Sequence, residues 1–88
     1  MSLEDEIIQY VSGKLIIDKD KLSRNSKFTE DLAMDSLDMV DMVMDIEQRY
    51  GVNIPDQEFG KMRKLGDIID YVRERYRGDD ETGVKAKL

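Results

Sequence analysis

Asp35-Ser36-Leu37-Asp38-Met39-Val40-Asp41-Met42-Val43-Met44-Asp45-Ile46-Glu47-Gln48-Arg49-Tyr50-Gly51 reads as one helix from its cap to its stop. The Asp35 carboxylate can accept from the exposed N–H groups of Leu37 or Asp38, and Gly51 can turn the chain out of the helix. Steps of about 100° per residue place Met39, Met42, Val43, Ile46 and Tyr50 on one arc, which predicts the core face. Leu37, Val40 and Met44 fall on a neighbouring arc beside Ser36. Asp38, Asp41 and Asp45 occupy the far side, with Glu47 near the border of the Ser36 arc. Apolar residues outside the core face with carboxylates around them suit a docking surface; the plainer alternative is a bundle that wraps this helix on two sides.

Upstream, Leu3, Ile7, Ile8, Val11 and Leu15 recur at helical spacing after Ser2, a candidate N-cap, with Glu4, Asp5 and Glu6 where the helix dipole favours them. The period breaks at Ile16 and Ile17. The chain to Asp35 then reads as a long loop, which a compact domain must anchor, and Leu22, Phe28 and Leu32 are the candidate anchors. Downstream, Asp56 can cap a short turn through Gln57, Glu58 and Phe59 that ends near Gly60. A last helix from about Leu65 buries Leu65, Ile68, Ile69, Val72 and Tyr76 and ends by Gly78. Alternating strand patterns are missing. The expectation is an all-α four-helix bundle with three principal helices, one short helix and a long loop between helices one and two. The domain spans 1–77, and 78–88 reads as a flexible charged tail.

Composition narrows the chemistry. With 88 residues, 40% hydrophobic and 39% charged, one small soluble core is all the chain can build. Cysteine and histidine are both absent. That removes the usual nucleophile, the usual base near neutral pH and the usual transition-metal ligands, so neither self-contained catalysis nor a metal site is expected. Twenty acidic against fourteen basic residues give a net charge of −6, which repels nucleic acid and favours partners with basic surfaces. No apolar run approaches the roughly 20 residues of a membrane span. The acids near the N-terminus are unlike the basic start of a signal peptide, so a cytoplasmic protein is expected, without stable membrane insertion and as a monomer.

Ser36 has no base beside it in sequence and is a poor nucleophile candidate. As an acceptor of a modification it makes better sense, because a hydroxyl at a helix N-terminus sits where N–H groups favour an attached phosphodiester. Asp35 and Asp38 on either side oppose that anion.

The run Asp31-Leu32-Ala33-Met34-Asp35-Ser36-Leu37-Asp38 resembles the phosphopantetheine attachment motif of acyl carrier proteins, centred on Asp-Ser-Leu. Ile54-Pro55-Asp56 and Gly66-Asp67-Ile68-Ile69-Asp70-Tyr71-Val72 continue the likeness, which spans roughly residues 3 to 76. The resemblance implies a protein that is not itself an enzyme. It implies 4'-phosphopantetheine from coenzyme A on Ser36, between Asp35 and Leu37, with acyl groups held as thioesters on its terminal thiol. It also implies that helix two is read by a phosphopantetheinyl transferase and by acyl-transferring, condensing and reducing enzymes with basic patches. Asp38, Asp41 and Glu47 would then meet cations, and Val40 and Met44 would supply apolar contact. Met39, Met42, Ile46, Ile54, Phe59, Ile68 and Ile69 would line the interior that shelters the acyl chain, although they are core residues on any reading. Ala33 and Met34 stand where the family commonly has Gly and a small residue, Met39 where Thr is frequent, and Lys64 where a capping Thr often precedes the last helix.

By that resemblance the leading expectation is type II fatty-acid biosynthesis. The alternatives are a dedicated carrier for a polyketide, aminoacyl or other specialised pathway, or an interaction module that leaves Ser36 unmodified.

Overall fold

The computed structural model describes residues 2–76; Met1 and residues 77–88, including the expected tail, lie outside the described residues. Helix α1 (Leu3–Leu15) opens as its sequence predicts, with Ser2 Oγ accepting the Asp5 N–H at 3.1 Å and three acids in the first turn. Ile7 and Val11 form its buried stripe. It ends at Ile16, which adopts the left-handed conformation (φ 55°, ψ 49°) and donates its N–H to Ser12. For an L-residue this conformation costs about 1–2 kcal/mol, and a β-branched side chain is among the worst suited to it.

The expected long loop follows, broken by a 3₁₀ turn at Lys19–Lys21 that sequence did not foretell. Leu22, Phe28 and Leu32 are all buried, as their anchoring role requires. Met34 joins them at 2% exposure. Sequence missed this fourth anchor, because an irregular segment has no period to mark an inward residue. Ala33, next to it, has φ 53°. That backbone is why glycine suits this position, and alanine holds it under strain.

Helix α2 (Ser36–Tyr50) is capped by Asp35 as its sequence suggests, with Asp35 Oδ1 accepting the Asp38 N–H at 2.9 Å; Asp38 Oδ2 also accepts the Asp35 N–H at 3.3 Å, completing a capping box that the sequence reading did not include. Gly51 closes it at φ 67°. Helix α3 (Asp56–Phe59) is one turn long and corrects the capping assignment. Pro55 stands at the cap, and its carbonyl receives the Glu58 and Phe59 N–H groups at 3.0 Å each. Asp56 is already the first helical residue, so its carboxylate cannot curl back to cap, and no side-chain cap bond forms.

Helix α4 (Leu65–Arg75) buries Leu65, Ile68, Ile69 and Val72. Tyr76 terminates it, half-buried and edge-on to Tyr50, with ring centroids 5.1 Å apart. Lys64 has no acceptor to offer as a cap; Asp67 compensates by accepting the Arg63 and Lys64 N–H groups at 2.9 and 3.0 Å.

The loop is sewn to the entry of α4. Phe28 donates to the Arg63 carbonyl at 3.0 Å, Leu65 to Ser26 at 2.9 Å and Gly66 to Arg24 at 2.8 Å, with Lys27 and Lys64 in a single antiparallel bridge. Arg24 adds ion pairs to Glu4 of α1 at 3.2 Å and Asp70 of α4 at 2.7 Å. The described residues thus form an all-α fold of four helices without strands. Its interior joins Ile7, Val11, Phe28, Met34, Met42, Ile46, Leu65, Ile68, Ile69 and Val72, at about 1.5–3 kcal/mol for each large apolar side chain buried.

Candidate attachment and docking site

Ser36 is the first residue of α2 and is exposed. The capping box fixes the backbone on either side of it without using its hydroxyl, which has no hydrogen-bond partner among the described residues. Asp35 takes the Asp38 N–H and the Asp35 carbonyl takes the Met39 N–H at 3.0 Å. The N–H groups of Ser36 and Leu37 therefore have no acceptor among the described residues, as expected of a helix start. An anion bonded to Ser36 Oγ would meet two open donors and the positive end of the helix dipole, opposed by the exposed carboxylates of Asp35 and Asp38. The donors and the accessible oxygen fit a covalent phosphodiester, and the flanking carboxylates are turned to the capping box rather than hydrogen-bonded to the hydroxyl.

The arcs drawn from sequence separate in space as expected. Met42, Val43, Ile46 and Tyr50 are buried and Met39 is half-buried against them, whereas Leu37 is 78%, Val40 51% and Met44 52% exposed. The described residues of the bundle do not wrap this second apolar arc.

The acids behave less uniformly than a solvated face would. Lys14 of α1 bridges Asp41 at 3.1 Å and Asp45 at 3.6 Å. Tyr10 donates its hydroxyl to Asp45, and Tyr50 donates to Glu6 of α1 at 3.0 Å. Burial, and then the Asp45 hydrogen bond, push the Tyr10 hydroxyl well above its ordinary value; burial and Glu6 push Tyr50 up to about 12. The Tyr10 hydrogen bond in turn holds Asp45 below the usual carboxylate range, with Lys14 adding to it. So Asp41 and Asp45, read from sequence as lying on an open far side, form a polar seam with α1. These pairs join helices far apart in sequence, and helical periodicity cannot show them. Asp38 carries no cation among the described residues.

Glu47 is half-buried, and its Oε2 accepts the Ile54 N–H at 2.7 Å. This bond ties the end of α2 to the approach of α3, so one of its two oxygens serves the fold. Beside it opens a groove of about 400 Å³ lined by Val40, Val43, Met44, Glu47, Asn53, Ile54, Pro55, Asp56 and Phe59. Only Ile54 and Phe59 of the seven residues named for the acyl interior line this groove. Met42, Ile46, Ile68 and Ile69 are fully buried, and Met39 is partly buried against the same core.

An accessible serine opening a helix, two N–H donors unclaimed among the described residues and an exposed apolar arc suit a covalently modified protein that docks to others. Residues 5–72 match the family described as "Phosphopantetheine attachment site". "Acyl carrier protein" of Rickettsia canadensis (strain McKiel) is 44% identical over 73 residues, covering 83% of this chain and 85% of the relative, and that of Rickettsia rickettsii (strain Iowa) aligns with the same identity and coverage. "Acyl carrier protein" of Rickettsia prowazekii (strain Madrid E) is also 44% identical over the same length. The chain belongs to the acyl carrier protein family. Members are carriers rather than catalysts, bearing covalently attached phosphopantetheine and working with synthases and transferases.

Proposed function

We propose that Ser36 carries the phosphopantetheine and that the protein presents acyl thioesters to the discrete enzymes of type II fatty-acid biosynthesis in the cytoplasm, working as a monomer. The observation that carries the reading is the exposed Ser36 hydroxyl, held between Asp35 and Leu37 by a rigid cap yet engaged by none of the described residues. The chain's part in loading is to offer that oxygen. As Ser36 Oγ bonds to the phosphorus nearer the pantetheine, the pyrophosphate bond of coenzyme A breaks and adenosine 3',5'-bisphosphate leaves. The serine proton passes to a base of the transferase, since no side chain among the described residues is hydrogen-bonded to the hydroxyl to take it. Once attached, the group supplies the thiol that a chain without cysteine lacks.

Partner enzymes approach along α2, where Asp38, Asp41 and Glu47 face basic groups and Leu37, Val40 and Met44 give apolar contact. Long-range attraction of this kind favours fast, salt-sensitive encounters, as a shuttle between enzymes requires. The groove between α2 and α3 supports an entry for the acyl chain past Ile54 and Phe59 toward Met39, Met42, Ile46, Ile68 and Ile69. Each methylene sheltered there gains about 0.8 kcal/mol.

Intact mass before and after incubation with coenzyme A and a broad-specificity phosphopantetheinyl transferase tests the attachment. Wild type should gain one phosphopantetheine and Ser36→Ala none, with unchanged helicity; an equal gain by Ser36→Ala would overturn the assignment. Loading the holo-protein with malonyl groups and passing it to fatty-acid condensing enzymes tests the pathway. Failure to elongate, with efficient loading by an adenylating ligase, would favour a dedicated carrier instead.

A further inference from the structure

Ile16 has no role in the core and none in the surface drawn along α2. At 91% exposure it is the most exposed large apolar side chain among the described residues. It also occupies a left-handed position that glycine or asparagine would fill without strain. The turn around it is locked. Ile17 donates its N–H to the Ser12 carbonyl at 3.1 Å, and Ser12 Oγ donates to the Ile17 carbonyl at 2.6 Å. Ile17 packs against the core, and Ile16 is held outward. Strained residues that persist cluster at functional positions.

The position is informative. Tyr50 with Glu6, Asp45 with Tyr10 and Asp41 with Lys14 climb α1 as they descend α2, so the two helices run antiparallel. The exit of α1 and the start of α2 therefore share one end of the bundle. Asp41 stands five residues beyond Ser36, about 7.5 Å along the helix axis, and Ile16 follows Lys14 by two. Ile16, Ser36 and the 78%-exposed Leu37 lie at that end together.

We propose that Ile16 is a docking residue for the phosphopantetheinyl transferase, extending the contact surface from α2 onto the exit of α1. The inference rests on Ser36 being the attachment residue. The transferase is the partner that must bring its own reacting groups to Ser36 Oγ, whereas enzymes acting on the acyl group work at the far end of the arm. Its surface would carry cations for Asp35 and Asp38, which no cation of this chain bridges among the described residues, and an apolar residue for Ile16 and Leu37.

Steady-state phosphopantetheine transfer from coenzyme A, with thermal melts alongside, tests it on the full chain. Ile16→Gly and Ile16→Asn relieve the backbone and should raise Tm by about 4–8 °C. The same variants should raise KM for the carrier about fivefold to tenfold with kcat little changed. Ile16→Leu should keep KM within about twofold of wild type without the gain in Tm. Raised Tm with wild-type KM for both Ile16→Gly and Ile16→Asn would overturn the proposal and leave Ile16 a strained cap. If folded wild type takes up no phosphopantetheine, the attachment reading fails first and this one falls with it.

Discussion

Replacing Gly66 by Ala would place a Cβ 2.9 Å from the Arg24 carbonyl oxygen and 3.0 Å from Arg24 Cβ. Both are parts of the loop that cannot swing aside as a side-chain tip could. Helix propensity alone favours Ala over Gly by about 1 kcal/mol. Against it, crowding a packed contact costs about 1–3 kcal/mol. Moving α4 off the loop also weakens the Gly66 bond to Arg24 and the Leu65 bond to Ser26, each contributing about 0.5–1.5 kcal/mol. The balance is a loss of about 1–3 kcal/mol. Gly13, near the end of α1, is the internal control, since a Cβ there meets nothing within 4 Å. Gly13→Ala should gain about 0.5–1 kcal/mol. Equilibrium urea unfolding followed by helical circular dichroism reads both, as a lower midpoint for Gly66→Ala and a higher one for Gly13→Ala with similar slopes. A Gly66→Ala midpoint at or above wild type would refute the close approach of loop and helix.

Ala33→Gly should stabilise by about 0.5–1 kcal/mol, because relief of the left-handed alanine at about 1–2 kcal/mol exceeds the added chain entropy of glycine at about 0.4–1 kcal/mol; thermal melts check it. Hydrogen bonds from the Arg63 N–H, and then the Lys64 N–H, hold Asp67 below its ordinary 3.8 against the opposing effect of burial. The unfolded chain therefore binds this proton more tightly, and the stabilisation is present above pH 3.8 and fades as pH falls through the lower folded value. Asp67→Asn should flatten the acid limb of stability below pH 3.8 in urea midpoints taken across pH. An unchanged limb would show that the carboxylate is not a proton-linked cap.

Much of this was legible because α2 states its structure locally. Its cap, its period and its glycine stop lie within seventeen consecutive residues, and Ser36 is placed by the first of them. Leu22, Phe28 and Leu32 were legible as anchors because they are large apolar residues in a polar stretch. Met34 was hidden because no period marks it, and Asp56 misled because residue type was read without the backbone of Pro55. The seam of Tyr10 and Lys14 with Asp41 and Asp45 joins residues 27 to 35 positions apart. Such pairs exist only once two helices have met. The groove of α2 and α3 likewise belongs to no single element, so the period of neither helix could show it.

The seam between the loop and α4 also bears on the order of assembly. Phe28 and Arg63, Ser26 and Leu65, and Arg24 and Gly66 are paired across 35 to 42 positions of chain, so these bonds cannot form while the loop is still searching. Loop closure over that distance carries its entropy cost before any contact repays it. Helices α1 and α2 can settle on local information, but the loop that delivers the chain to Asp35 waits for the far end of the sequence. The bearing on which Ser36 is mounted is thus finished by residues nearly thirty positions downstream of it, and a lesion at Gly66 reaches Ser36 through the folding of the loop.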